Sequence, residues 1–242
     1  MRLPDTLRPI VAVIPARGGS KRIRRKALVR IRGAVELISR TVRQALDLKR
    51  KGWLDAVVVS TEDARIRAVA SGVGRGQLEL INRPRALATD KASSLAVIRH
   101  AVKVLRERDL RVKTVVLLQV TSPLRRDEDV VRALQRFARG DADAVVSVSG
   151  THPPPEWMYR VRGGCLGRRV AHGARKASVA LNGAVYVAGA RHLARRGFTD
   201  GRCAFVRMPW GLSVDIDEPA DLELARVILK DGRLRRRLER SR

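Results

Sequence analysis

Short apolar runs alternate with amphipathic stretches along this chain, and no other feature narrows its possible folds as much. Ile10-Val11-Ala12-Val13-Ile14 is a continuous apolar run that ends at a Pro/Gly-rich loop. A run this short, rich in β-branched residues, reads as a strand buried on both faces of a parallel sheet. Val35 to Lys49 follows, with Leu37, Ile38, Val42, Ala45 and Leu46 at helical spacing. The alternation then continues. Ala56-Val57-Val58-Val59 reads as a strand, a helix begins near Glu62, and Leu78 to Ile81 is a weaker strand. Ser93 to Arg106 reads as a helix, Thr114 to Leu118 as the clearest central strand, Glu128 to Arg139 as a helix and Ala144 to Val148 as a strand. This order predicts an α/β fold, a doubly wound and mostly parallel sheet with ligands at the carboxyl ends of its strands.

The pattern breaks after Ser149. Thr151-His152-Pro153-Pro154-Pro155 can neither continue a strand nor start a long helix. Residues from Trp157 to Ala177 are rich in glycine and arginine and show little periodicity, so 151–180 reads as an excursion from the sheet. Regular structure is expected again at Ala184 to Val187, at Ala204 to Val206 and in a helix near Ala220 to Leu229. The segment 230–242 reads as a basic, fraying tail. With 242 residues, no internal repeat and no long linker, the chain reads as one domain, 1–242.

Composition bounds the partners. Aromatics are 3% of the chain, so aliphatic residues must supply the core. No apolar run approaches a bilayer span, the N-terminus has no signal-peptide character, and Cys165 and Cys203 give neither metal spacing nor a disulfide framework. A cytoplasmic protein without a membrane partner is the expectation. The formal charge is +27, and of the 51 basic residues nine are lysine and 42 arginine. Such an excess suits an anionic substrate, and it also suits nucleic acid. Recognisably spaced stacking aromatics and a helix-turn-helix pattern are both missing, which argues against a nucleic-acid partner.

The chemistry concentrates at three places. The first strand runs into Ala16-Arg17-Gly18-Gly19-Ser20-Lys21, where paired glycines let the backbone approach phosphate oxygens and Arg17 and Lys21 add positive charge. It matches neither the Walker A nor the G-x-G-x-x-G pattern, and alone it reads equally well as a plain βα turn. Gln119 stands at the end of the central strand, where a doubly wound sheet places ligands. Asp215 and Asp217 are one residue apart, so an extended backbone points both to one side, a donor pair suited to Mg²⁺ with phosphate oxygens. Asp217-Glu218-Pro219 also reads as the opening of a helix, which would explain Asp217 but not Asp215. Thr121-Ser122-Pro123 reads as a turn, and no G-x-S-x-G elbow surrounds Ser122. The four histidines have no metal-ligand spacing.

Several segments occur in one order: Ile14 to Lys21, Val59-Ser60-Thr61, Arg83-Pro84 with Leu87-Ala88-Thr89-Asp90, Leu117 to Arg125, Asn182-Gly183-Ala184-Val185-Tyr186, and Ser213 to Asp217. Together they resemble the acylneuraminate cytidylyltransferase family, over residues 10 to about 229. The resemblance implies that Ala16, Arg17, Gly18, Gly19, Ser20, Lys21, Lys26 and Arg83 bind the nucleotide. It implies that Gln119 and Asn182 contact the acidic sugar with a basic residue, for which Arg175 and Lys176 stand nearest and Arg175 is the candidate, and that Asp215 and Asp217 hold a divalent metal, Mg²⁺. Arg17, Lys21, Asp215 and Asp217 are then the catalytic set. Residues 151–180 would supply a homodimer contact and part of the sugar pocket. The partners implied are CTP and an acidic sugar. Departures bear on specificity: Ala27 stands where the family usually has asparagine, Arg22 and Arg24 replace its common glycine and proline, and Leu181 precedes Asn182-Gly183 where proline is usual. A 3-deoxy-manno-octulosonate cytidylyltransferase, or a relative using another nucleoside triphosphate, is the neighbouring alternative.

Overall fold

The structure, a computed structural model, describes residues 3–151, 158–162, 165–169 and 178–240. Over these the chain runs β1 (Ile10–Pro15), β2 (Arg30–Arg32), β3 (Val35–Glu36), α1 (Leu37–Arg50), β4 (Ala56–Thr61), α2 (Ala64–Gly74), β5 (Glu79–Asn82) and α3 (Ser94–Glu107). It continues through β6 (Thr114–Leu118), α4 (Asp127–Phe137), β7 (Ala144–Gly150), β8 (Tyr159–Arg162), β9 (Cys165–Arg169), β10 (Val179–Gly189), α5 (Ala190–Arg195), β11 (Cys203–Arg207), α6 (Pro219–Lys230) and α7 (Gly232–Arg240). Seven strands form the main sheet in the order β11-β7-β10-β6-β1-β4-β5. All neighbours pair in parallel except β10, which runs antiparallel to both β6 and β7. The mostly parallel α/β sheet expected from the alternation is therefore present.

The apolar runs explain why the sheet is covered on both sides. In β1, Ile10, Ala12 and Ile14 pack with Val42, Ala45 and Ile66 of α1 and α2. Val11 and Val13 point the other way, toward Ile98, Ala101 and Leu105 of α3. A third cluster forms away from the sheet, where Ile31 and Leu37 meet Leu212, Ile216 and the apolar face of α6. Within the described residues, no helix is long and apolar enough to cross a membrane.

Four local differences from the sequence expectation have physical causes. The helix expected from Val35 starts at Leu37, because Val35 and Glu36 pair with β2 across a turn at Gly33, whose φ is +54°. β10 begins well before Ala184, and Asn182-Gly183 lies at an irregularity inside one long strand. Between Leu181↔Val148 and Tyr186↔Val146, β10 advances five residues (181 to 186) while β7 advances two (148 to 146). The described part of the glycine- and arginine-rich stretch is an antiparallel pair, β8 with β9. The basic tail is helical over Gly232–Arg240, with Leu234 and Leu238 packed against the third cluster. Lys176 and the site candidate Arg175 lie outside the described residues.

The entry to α4 is held by one buried carboxylate. Asp129 accepts the backbone N–H of Arg126 at 2.9 Å, the Arg126 guanidinium at 3.0 Å and that of Arg132 at 2.6 Å. Burial alone would raise its pKa, but the bonds from Arg126 and Arg132 bring it below the usual carboxylate range. A depressed folded pKa contributes stability above the unfolded value of 3.8 and loses it as pH falls through the folded one. Asp129→Asn is thus expected to cost about 1.5–3 kcal/mol near neutral pH. In urea melts, the gap between the two proteins should narrow as pH is taken below 3.8.

Candidate active site

Four adjacent parallel strands, β6, β1, β4 and β5, end along one edge of the sheet, and each is followed by a polar residue. Gln119 follows β6, Glu62 follows β4, Arg83 follows β5, and the loop from Ala16 to Lys21 follows β1. A cavity of about 320 Å³ opens at this edge. Arg17, Ser20, Lys26, Ala27, Arg83, Gln119, Thr121, Asp215 and Asp217 line it together. Residues far apart in sequence therefore converge on one space. Ala16 is buried behind the wall, its N–H bonded to the Ser60 carbonyl at 3.0 Å.

Inside the loop the charges already have partners. Arg17 and Lys21 both pair with Asp90, at 2.7 and 2.8 Å. The hydrogen bond from Lys21, ahead of the pull of Arg17, holds the Asp90 carboxyl below its ordinary range. Lys21 is 82% exposed, so this bridge is weak and exchangeable. The Gly18 N–H is bonded at 2.7 Å to the Glu62 carboxylate, which shows that the loop binds an anionic oxygen. Gly18 also has a purely steric reason to be glycine. A β-carbon there would overlap the Asp63 carboxylate, which accepts the N–H groups of Arg65 and Ile66 and caps α2. These contacts are those of a βα turn whose backbone N–H at Gly18 is already taken by a carboxylate.

Arg83 is 4% exposed, donates only to the Ser60 carbonyl and hydroxyl, and has no carboxylate within 4.0 Å among the described residues. Burial lowers its pKa, with Glu62 pulling the other way. A buried guanidinium on a cavity wall without a counterion has the chemistry to receive an anion. On the opposite wall, Lys26 donates to the Ile216 carbonyl at 2.5 Å and to Asp217 at 2.9 Å. It thereby ties the phosphate-loop side to the aspartate segment, and its hydrogen bond lowers the Asp217 pKa. Asp217 does not cap α6. Glu218 holds that place, with Pro219 in the first turn, and Asp221 receives the backbone N–H groups of Asp217 and Glu218 at 2.9 and 2.7 Å. The Asp217 carboxylate faces the cavity paired with Lys26 and, at 3.7 Å, with Arg22.

Asp215 borders the same space. Enclosure by the surrounding protein pushes its carboxyl above the usual range, the Thr121 hydroxyl pulls it down, and repulsion from Asp217 adds to the rise. A carboxylate made costlier to ionise by enclosure and by a neighbouring carboxylate suits a divalent cation between the two. Over the described residues no group of three or more His, Cys, Asp or Glu is placed to hold a metal, so among them the donor set here is the Asp215 and Asp217 pair. That donor set fits Mg²⁺, which keeps several waters and takes substrate phosphate oxygens.

Asn182 does not line the cavity. It is 5% exposed, and its carboxamide is taken up by Ser147 at 2.6 Å, Ser213 at 3.0 Å and the Ala184 N–H at 3.2 Å. These bonds hold Gly183 at φ +70°, where a β-carbon would lie 3.4 Å from Asp215 and 3.6 Å from Gln119. Asn182 thus shapes the wall at those two side chains. Sequence reasoning gave no role to Asp90 or Glu62, whose signal was only their place after a strand or within a motif. Arg125 was likewise quoted without a role, although it donates to the Gln119 carbonyl at 3.0 Å and the Ala184 carbonyl at 2.8 Å. Ser122 is buried away from the cavity, in keeping with a turn residue.

A cytidylyltransferase family model matches residues 11–160. An N-acylneuraminate cytidylyltransferase of Escherichia coli is 30% identical over 225 residues, covering 89% of this chain; the chain spans only 51% of that protein's length. A pseudaminic acid cytidylyltransferase of Campylobacter jejuni is 29% identical, with 91% of this chain and 96% of the relative covered. A CMP-N,N'-diacetyllegionaminic acid synthase of Legionella pneumophila is 28% identical at the same coverages, 91% and 96%. Among solved structures, a CMP:2-keto-3-deoxy-manno-octonic acid synthetase complexed with CTP superposes with a TM-score of 0.67 at 18% identity, covering 91% of this chain and 98% of that one. A 4-diphosphocytidyl-2C-methyl-D-erythritol synthase gives 0.67 at 17% identity, covering 92% and 98%. At these identities the two structures speak for the fold alone.

Gly18→Ala is expected to displace the Asp63 cap and cost about 1 kcal/mol. Combined with Asp63→Ala, its effect should be smaller than the sum of the two, because both remove the same cap. Thermal melts of the two single variants and the double variant check this.

Proposed function

The chain belongs to the cytidylyltransferase family, and on that premise we propose that it couples CTP to a nonulosonic acid, giving a CMP-sugar and pyrophosphate. The observation that carries this reading is the convergence of Arg17, Lys26, Arg83, Gln119, Asp215 and Asp217 on one cavity at the carboxyl ends of the parallel strands. The named sequence relatives act on acylneuraminic, pseudaminic and legionaminic acids, which favours a nonulosonic acid over an octulosonic one.

In this mechanism the anomeric hydroxyl of the sugar acid attacks the α-phosphorus of CTP, and the bond to the pyrophosphate leaving group breaks. No protein nucleophile is required; positioning and charge stabilisation carry the catalysis. Arg17 and Lys21 exchange Asp90 for triphosphate oxygens, Ser20 and the Gly18 and Gly19 backbone approach the same oxygens, and Arg83 supplies buried positive charge. Lys26 offsets charge while holding Asp217 in place. Gln119 orients the acidic sugar, with Asn182 shaping the wall beside it and Arg175 as a further contact from the excursion. Asp215 and Asp217 would hold Mg²⁺, which supplies charge neutralisation at the phosphates when bound. The small Ala27 side chain leaves room on the nucleoside side of the cavity. The working form is read as one nucleotidyltransferase domain, a cytoplasmic homodimer with residues 151–180 contributing to the contact.

Pyrophosphate release from CTP is expected with at least one member of a nonulosonic acid panel in the presence of Mg²⁺. Release with none of them would overturn the reading. Arg17→Ala and Lys21→Ala should each lower kcat/KM by about 10²–10³-fold. An Asp215→Asn/Asp217→Asn double variant that kept full activity would contradict the assigned metal pair.

A further inference from the structure

A second cavity, of about 600 Å³, lies between α1, the β2–β3 hairpin, the start of α4 and the C-terminal helix α7. It shares no lining residue with the candidate active site. Seven of its lining side chains are basic and four are acidic, an excess of three positive charges (7 − 4). The acidic groups are already engaged. Asp127 pairs with Lys51 at 2.6 Å, Glu239 with Arg235 at 3.2 Å, Glu128 with Arg126 at 4.0 Å, and Asp47 with Arg50, which lies outside the cavity.

Arg32, Arg40, Arg43 and Arg125 are left with no carboxylate within 4.0 Å among the described residues. Arg40 donates Nε to the Pro123 carbonyl, and no described residue accepts from the rest of its guanidinium fork. Burial lowers its pKa first, and repulsion by Arg235 and Arg32 lowers it further. Arg125 is 3% exposed and is pushed down to about 9 by burial and then by Arg40. Arg235 Nε is shut from solvent and faces the Glu239 carboxylate at 3.2 Å. Like charges crowded into a partly enclosed space, with most of the Arg40 fork unmet, are stabilised when an anion enters.

We infer that this cavity is a second anion site that takes a compact polyphosphate, with inorganic pyrophosphate as its smallest ligand. Planar guanidinium forks match phosphate oxygens in pairs, and an excess of three charges matches linked phosphates better than a single carboxylate. The lining contains no aromatic side chain, so a stacked base adds nothing to recognition. Occupancy reaches the active cavity through one residue. Arg125 lines this space and also holds the Gln119 carbonyl. The inference does not depend on which reaction the first cavity performs.

The test is calorimetric titration of inorganic pyrophosphate into the full chain carrying Arg17→Gln/Lys21→Gln, which disables the phosphate loop of the first cavity. One binding event should remain, and adding Arg40→Gln/Arg43→Gln should weaken it by about tenfold or more. If that combination fails to fold, Arg43→Glu alone, an exposed reversal at the cavity mouth, should weaken it by a similar factor. The proposal is overturned if the loop variant binds no pyrophosphate, if neither arginine change alters binding, or if citrate binds as tightly.

Discussion

Arg125 is a charged side chain enclosed by the protein with no carboxylate against it among the described residues, and much of the site is arranged around its solvation. Removing a guanidinium from water is expensive unless other acceptors replace the water. Three do so here. The Gln44 side chain accepts from Nε at 2.8 Å, and the carbonyls of Gln119 and Ala184 accept from Nη1 at 3.0 and 2.8 Å. Those acceptors belong to α1, to the end of the central parallel strand and to the irregular part of β10. One side chain thus fixes the junction where the parallel half of the sheet meets its single antiparallel strand. The position of Gln119 and the wall at Gly183 both follow from it.

Lys26 closes the other side. Its bonds to Ile216 and Asp217 span 190 and 191 residues of sequence and bring the aspartate segment to the loop after β1. The main cations of the cavity are then held by different means: Arg17 and Lys21 by an exposed and exchangeable carboxylate, Lys26 by a committed one, and Arg83 by neutral oxygens alone. In the proposed reaction, Lys26 and Arg83 would meet phosphate oxygens where they stand, while Arg17 and Lys21 would first give up Asp90, so the charge is largely in place beforehand.

The sheet was legible because fully buried parallel strands have to be apolar on both faces; Ile10 to Ile14 and Thr114 to Leu118 could hardly be anything else. The β2–β3 hairpin was not, since Arg30-Ile31-Arg32 buries one residue and leaves two outside, too little pattern to register. The irregularity of β10 at Asn182-Gly183 was not legible either, since it is set by pairing with β7. At the site, the resemblance named residues of which Arg17, Ser20, Lys26, Arg83, Gln119 and both aspartates line one cavity. It could not foresee that the Asn182 amide would be consumed inside the wall. Nor could it foresee that Asp90 would bridge the loop cations or that Arg125 would hold the strand end. Those roles arise from three-dimensional neighbours that local sequence does not encode.

The central claim is that this cavity directs attack at the α-phosphorus of a cytidine nucleotide. The most direct measurement is ³¹P NMR of CTP incubated with the protein, Mg²⁺ and a nonulosonic acid substrate. The account predicts loss of the triphosphate signals with a matching rise of one phosphodiester resonance and of pyrophosphate. Appearance of CDP with inorganic phosphate, or of CMP and pyrophosphate with no phosphodiester formed, would contradict it.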